Sequence, residues 1–186
     1  MIAIQFPHII SHNMFDQQGS KKNLQVVIEN IEFAKKFHYF ITVEIDGDNV
    51  RRRTDISERV GFPVFAQNKF YLPIHEERLQ KNPRLIFRAF LVANRVENMT
   101  DEQVFGQAKQ LGACEIEIAP MMPQLVDVYG VGVRKKLEFS RRKEDTGENA
   151  VVARGAVSIK LVGDYISKFD SVADGQAGAP QKAMGN

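Results

Sequence analysis

Only one cysteine, Cys114, occurs in 186 residues. That excludes an internal disulfide framework and any zinc site built on cysteine, and it points to a reducing, intracellular home. An excess of charge of one sign is also missing. Lys and Arg number 25 against 23 Asp and Glu, a formal charge of +2, whereas a dedicated nucleic-acid binder carries a strongly basic face. No apolar run approaches the roughly 18 residues that a membrane span needs, and the N-terminus has no basic-then-apolar export pattern. Asn98-Met99-Thr100 fits an N-glycosylation acceptor, a modification not expected for an intracellular chain. Catalytic signatures are lacking too: no Gly-x-Ser-x-Gly elbow, no phosphate loop closing on Gly-Lys-Ser/Thr, no His-Glu-x-x-His.

What is present is a good core. Hydrophobic residues make up 44% and charged ones 26% of the chain, ordinary values for one globular domain plus tails. Period-two alternation dominates the middle. Leu24, Val26 and Ile28 alternate with Gln25 and Glu29, and Tyr39, Ile41, Val43 and Ile45 alternate with Thr42, Glu44 and Asp46. Asp46-Gly47-Asp48 supplies a tight turn into a return strand, Arg51 to Ile56. Further strands are read over Lys69 to Leu72, over Leu85 to Leu91, through Cys114 to Ile118, through Val131 to Phe139, and over Val151 to Leu161. Only two short helices are expected, Glu76 to Lys81 and Thr100 to Gln110, the second opened by the cap signature Thr100-Asp101-Glu102-Gln103. About eight half-buried strands predict an all-β fold, a two-sheet antiparallel β-sandwich with short helical insertions.

The flanks differ. Residues 1–22 carry Ile4, Phe6, Ile9, Ile10 and Phe15, broken by Pro7. They read either as an extra strand or flap on the same domain or as an arm that docks on a partner. Residues 169–186 are small and polar, and alone bury too little apolar area to offset ordering. The expected division is therefore an arm (1–22), a sandwich (23–168) and a flexible tail (169–186).

Several segments in order resemble the C2 domain family. NLQVVIENIEF is similar to its first strand and following loop, and HYFITVEIDGDNVRRRTDI to its tyrosine-led second strand, acidic-glycine turn and basic third strand. LIFRAFL resembles the strand entering the third loop, LGACEIEIAPMMPQL the glycine-led strand with its proline turn, and GAVSIKLVGDY the closing strand. The resemblance covers roughly Asn23 to Ile166 and implies a module that binds calcium, lipid or protein. Calcium needs six to eight oxygen ligands, mostly carboxylate. Where the family places an aspartate-proline pair this chain has Phe37 and His38, and its third-loop aspartates fall on Leu91 and Ala93. Lys35 and Lys36 would repel a divalent ion. A calcium-independent member, with no metal and no other cofactor, is the expectation.

Candidate chemistry elsewhere has plainer readings. His8 and His12 are four apart, but Pro7, Ile9 and Ile10 disfavour the helix that would bring them together. Cys114 on an apolar strand face is a small buried thiol, and Asp46 and Asp48 are turn residues. For anions, the resemblance implies a basic groove, onto which Arg51 and Arg53 map, with Lys69 as their neighbour. Two or three such residues give weak attachment, at about 1 kcal/mol each. Two functions follow. The first is a non-catalytic interaction or scaffolding module in a larger cytoplasmic assembly, with partner contacts through Ile4, Phe6, Ile9, Ile10 and Phe15. A cytoskeletal or ciliary setting rests on the fold and the missing catalytic residues alone. The second is peripheral binding of phospholipid or phosphoinositide through Arg51, Arg53 and Lys69.

Overall fold

The computed structural model describes residues 22–48, 50–74, 81–93, 100–127, 132–143 and 146–162. The arm up to residue 21, the tail, most of the helix expected at Glu76 to Lys81, and residues 94–99 lie outside them, as do His8 and His12. Eight strands are β1 (Lys22–Phe33), β2 (His38–Ile45), β3 (Arg51–Arg53), β4 (Lys69–Ile74), β5 (Arg84–Val92), β6 (Ala108–Glu117), β7 (Val133–Arg142) and β8 (Asn149–Val162). Two helices, α1 (Asp101–Gln107) and α2 (Met122–Asp127), flank β6, and a single 3₁₀ turn at Ala119–Met121 leads into α2.

Hydrogen bonding runs through the strands in the order β3-β2-β5-β6-β7-β8-β1-β4, every pairing antiparallel. Between β6 and β7 the ladder shrinks to one pair, Ala113–Ser140. There the ribbon folds over into two four-stranded layers, β3-β2-β5-β6 and β4-β1-β8-β7. Gly112 makes the close crossing feasible, because a Cβ there would lie 2.8 Å from the Ser140 carbonyl oxygen. Leu24, Val26 and Ile28 from one layer meet Ile41, Val43 and Phe87 from the other in a shared core, closed at the bottom by Ile118, Met121 and Leu125. The alternation that marked each strand is the consequence of this one buried face.

Several features depart from the expected picture. β3 stops at Arg53 instead of reaching Ile56, because side chains take over from the ladder. The Thr54 hydroxyl accepts from the Ile41 N–H, and the Ser57 hydroxyl from the Tyr39 N–H, both at 3.0 Å. β4 does not end at Pro73 but passes through it to Ile74, which an edge strand tolerates. The helix at Thr100 ends at Gln107, and β6 starts directly at Ala108, well before Cys114. Finally, β2 and β5 are buried on both faces rather than one. Their outer face carries a second apolar cluster of Phe40, Phe90 and Val92, sealed by Val104 and Phe105 of α1. The Phe40 and Phe90 rings stack at 4.8 Å, and Phe105 meets both edge-on. Thr100 caps this helix as expected, its side chain accepting from the Gln103 N–H while the Gln103 side chain accepts from the Thr100 N–H.

Candidate docking surfaces

Two surfaces bear on function: the outer face of the β3-β2-β5-β6 layer, and the end of the sandwich where β1–β2 and β3–β4 connect. On the first, register puts Arg53, Thr42 and Arg88 in one row across β3, β2 and β5, and Arg51, Glu44 and Ile86 in the next. Arg51 and Arg53 therefore share a face, as their spacing predicted. Neither is free. The Arg51 Nε donates to Glu44 Oε2 at 2.6 Å, and Arg88 donates to the other Glu44 oxygen. Arg53 donates to Asp101 of α1 at 2.6 Å, and the Arg51 guanidinium lies 5.7 Å from the Phe105 ring centre. Burial pushes the Glu44 carboxyl up, but the hydrogen bonds and charges of Arg88 and Arg51 outweigh it and hold the group below the usual carboxylate range.

Internal acids thus cover the face that the resemblance marked as basic. Lys69 does not join it: β4 pairs with β1 in the opposite layer, at the far end of the strand order from β3. Thr42, buried between the two arginine strands, leaves its hydroxyl without a hydrogen-bond partner. No spacing signal in the sequence pairs Glu44 or Asp101 with these arginines; Asp101 is 48 residues from Arg53.

The second surface is built by anchoring. In the β3–β4 connection Pro63 and Phe65 point inward and are buried, which turns their neighbours Phe62 and Val64 outward. Phe62 is 70% and Val64 89% exposed. The segment is held from both sides. The Phe33 N–H donates to the Gly61 carbonyl at 2.8 Å, and Phe37 bridges Val60. The β1–β2 connection beneath is pinned by Tyr39, whose ring stacks on Phe33 at 3.7 Å and whose hydroxyl donates to the Lys35 carbonyl at 2.6 Å. Lys35 and Lys36 stand exposed on that connection, and Arg59 lies 5.8 Å from the Phe37 ring centre. Glu32 and Glu58 are exposed acids in the same region. The two apolar prongs with adjacent lysines are what sequence reading missed: the Gly61-Phe62-Pro63-Val64-Phe65 run falls where the resembled family has a proline and a buried aromatic residue, which fits Phe65, but that likeness says nothing of Phe62 and Val64.

The positions that bore on metal binding are also placed. Leu91 packs against the core, Ala93 is exposed, and the His38 ring contacts the Ser57 carbonyl at 2.9 Å. Among the described residues no group of three or more His, Cys, Asp or Glu side chains is arranged to hold a metal ion. Cys114 is half-buried, and burial raises its thiol above the ordinary range, away from the thiolate. Among the described residues no helix is long and apolar enough to cross a membrane.

No family model and no curated protein sequence matches this chain. Among solved structures, a C2 domain-containing protein from a putative elicitor-responsive gene is similar at a TM-score of 0.51 and 12% identity, over 82% of this chain and 98% of that one. The calcium-bound pair of C2 domains of Extended-Synaptotagmin 2 is similar at 0.47 and 13%, over 76% of this chain and 42% of that one. Human GIVD cytosolic phospholipase A2 follows at 0.46 and 10%, over 76% of this chain and 17% of the enzyme. The first of these shows the architecture: this is a C2-like β-sandwich. At 12% identity the likeness is one of fold, and function has to be argued from the surfaces above.

Proposed function

We propose that this chain is a non-catalytic, calcium-independent interaction module that docks by its loop end on an anionic membrane surface. The observation that carries the reading is the pair Phe62 and Val64, held outward by buried Pro63 and Phe65 beside Lys35, Lys36 and Arg59. Exposed apolar side chains on a rigid connection, with cations next to them, match the two components of interfacial binding. Burial of each apolar side chain contributes about 1.5–3 kcal/mol. Each cation near an anionic leaflet adds about 1 kcal/mol. After ordering costs and the opposing charges of Glu32 and Glu58, a reversible attachment of about 5 kcal/mol remains. Lys35 and Lys36 directly precede Phe37 and His38, which take the place of the family's aspartate-proline pair, so cationic charge at this end is built into the chain instead of supplied by metal.

This relocates the lipid-binding site expected at Arg51, Arg53 and Lys69, since Glu44 and Asp101 occupy the two arginines. The scaffolding role proposed for the flanks, with Ile4, Phe6, Ile9, Ile10 and Phe15 in residues 1–22 and the tail from 169 as partner contacts around a sandwich of 23–168, is compatible with it. A protein that meets a cytoplasmic leaflet at one end has its flanks and sheet faces left for an assembly. Flotation of the full chain with vesicles containing 30% phosphatidylserine, in EDTA, tests the proposal. Phe62→Ala with Val64→Ala is expected to weaken binding by at least tenfold, and Arg51→Glu with Arg53→Glu to leave it within twofold. Equal binding to purely zwitterionic vesicles, or no binding without calcium, defeats it.

A further inference from the structure

The layer opposite the arginine face carries a second set of cations, of which Arg134 and Arg154 are paired with Glu29 and Glu138 and, among the described residues, three lysines are not. Register places Arg134, Ser158, Val27 and Lys69 in one row across β7, β8, β1 and β4, and Lys160, Gln25 and Tyr71 in the adjacent row of β8, β1 and β4. Lys136 lies across from Ala156 in the row beyond Arg134. All these positions alternate with core residues, so they share the outer face. Arg134 is spoken for by Glu29 at 2.5 Å. Lys69, Lys136 and Lys160 have no acidic partner among the described residues, and the face between them is polar: the Gln25 amide donates to the Tyr71 hydroxyl at 2.8 Å. Lys160 is steadied by its stem lying over Gly132, where a Cβ would come within 2.8 Å of its Cγ.

From this arrangement we infer that the outer face of β4-β1-β8-β7 is a docking site for an acidic protein surface, separate from the loop end. Charge complementarity selects an anionic partner, and the absence of anything to insert argues against a bilayer. The exposed large apolar side chains among the described residues are Phe62, Val64 and Val151, none of which projects from this face between the lysines. Position gives the same answer for the Lys160 end. The strands run away from the loop end, and Lys69 and Lys160 pair across Val27 and Gln25, six and eight residues from Phe33. At about 3.3 Å per residue Lys160 sits about 26 Å below the level of Phe33, beyond two Debye lengths of about 8 Å at physiological salt. Lys136, level with Asn30, sits about 10 Å below it, and Lys69, five residues after Val64, lies within about 18 Å of that prong. A membrane touched by Phe62 and Val64 leaves the Lys160 end of this face to a soluble partner. The proposal goes beyond the docking function: the lysine face stands without it, while the choice of a soluble partner over a bilayer rests in part on it, and both surfaces can be engaged at once, making the module a bridge.

The test uses poly-L-glutamate of about 50 residues as the acidic probe, with binding to the full chain followed by fluorescence anisotropy at 50 and 300 mM NaCl, alongside anionic vesicles. The triple variant Lys69→Glu, Lys136→Glu, Lys160→Glu is expected to lose at least tenfold in affinity for polyglutamate at 50 mM salt while its vesicle flotation stays within twofold. Lys35→Glu with Lys36→Glu is expected to do the reverse. The same three lysines changed to Gln should give a smaller loss in the same direction, and an unchanged thermal midpoint separates charge from folding. Loss of vesicle binding by the triple variant would assign the face to the membrane and overturn the proposal. So would wild-type protein that ignores polyglutamate, or an equal loss from the loop-end variant. If vesicles fail for every protein but the polyglutamate pattern holds, the docking function falls and this inference stands.

Discussion

Glu44→Gln probes the arginine face most sharply. The substitution keeps the shape and removes the charge that two guanidinium groups share. The Glu44 side chain is 12% exposed, Arg88 23% and Arg51 44%. A hydrogen bond to a charged group contributes about 1.5–3 kcal/mol when buried, and the more open Arg51 contact is discounted toward the surface range of about 0–1 kcal/mol. The expected loss is about 2–3 kcal/mol at pH 7, read from urea unfolding with unchanged slope. The pH dependence fixes the mechanism. Because the folded-state pKa of Glu44 is lowered, its contribution is fully present above the unfolded carboxylate value and is lost as pH falls through the folded one. The gap between wild type and variant should therefore narrow steadily on acidification below the ordinary carboxylate range. The same variant frees Arg51 and Arg88 on a face away from the loop end, so binding to anionic vesicles should stay within twofold of wild type. A variant as stable as wild type at pH 7, or a gap that widens toward acid, would refute the claim that Glu44 neutralises this face.

Two further substitutions test the packing. Thr42→Val removes a buried hydroxyl that has no partner, so it should raise stability by about 1 kcal/mol in the same urea assay; a loss of that size would mean the hydroxyl is bonded after all. Gly155→Ala places a Cβ 2.2 Å from the Asn30 carbonyl oxygen and 2.4 Å from Ile31 Cδ1, where β1 bulges across β8. Backbone must move to admit it, and a loss of about 3 kcal/mol or no soluble protein is expected; a thermal midpoint within two or three degrees of wild type, less than about 1 kcal/mol, rules the close approach out.

The sandwich was legible because one face of most strands is buried, which prints apolar residues at every second position of β1 and of the second half of β8. Legibility stopped where that cause stopped. β2 has Thr42 and Glu44 on a face that α1 and three arginines cover, so alternation described only half of its environment. β3 ended early because the hydroxyls of Thr54 and Ser57 stand in for backbone acceptors, a substitution that no propensity records. The bulge that sets Phe90 against Gln110 shifts register inside β6 and hid its first half. Arg51 and Arg53 were rightly placed on one face, but their charge state depended on Glu44 and on Asp101, which lies far along the chain. Lys69 was grouped with them on a likeness of sequence order, while strand pairing puts it in the other layer. The burial of Phe65 follows the resembled family's order of a proline and then a buried aromatic residue, but the outward turn of Phe62 and Val64 did not show in the sequence, because it is set by the anchoring of Gly61 to Phe33.

The chain contains no tryptophan, so Phe62→Trp creates a single reporter at the tip of the proposed docking end. In EDTA, addition of phosphatidylserine vesicles should shift its emission to the blue and expose it to quenchers carried within the bilayer, and high salt should reverse both. An emission spectrum that stays water-like on vesicles to which the protein floats, or that moves only when calcium is added, would contradict metal-free docking through the loop end.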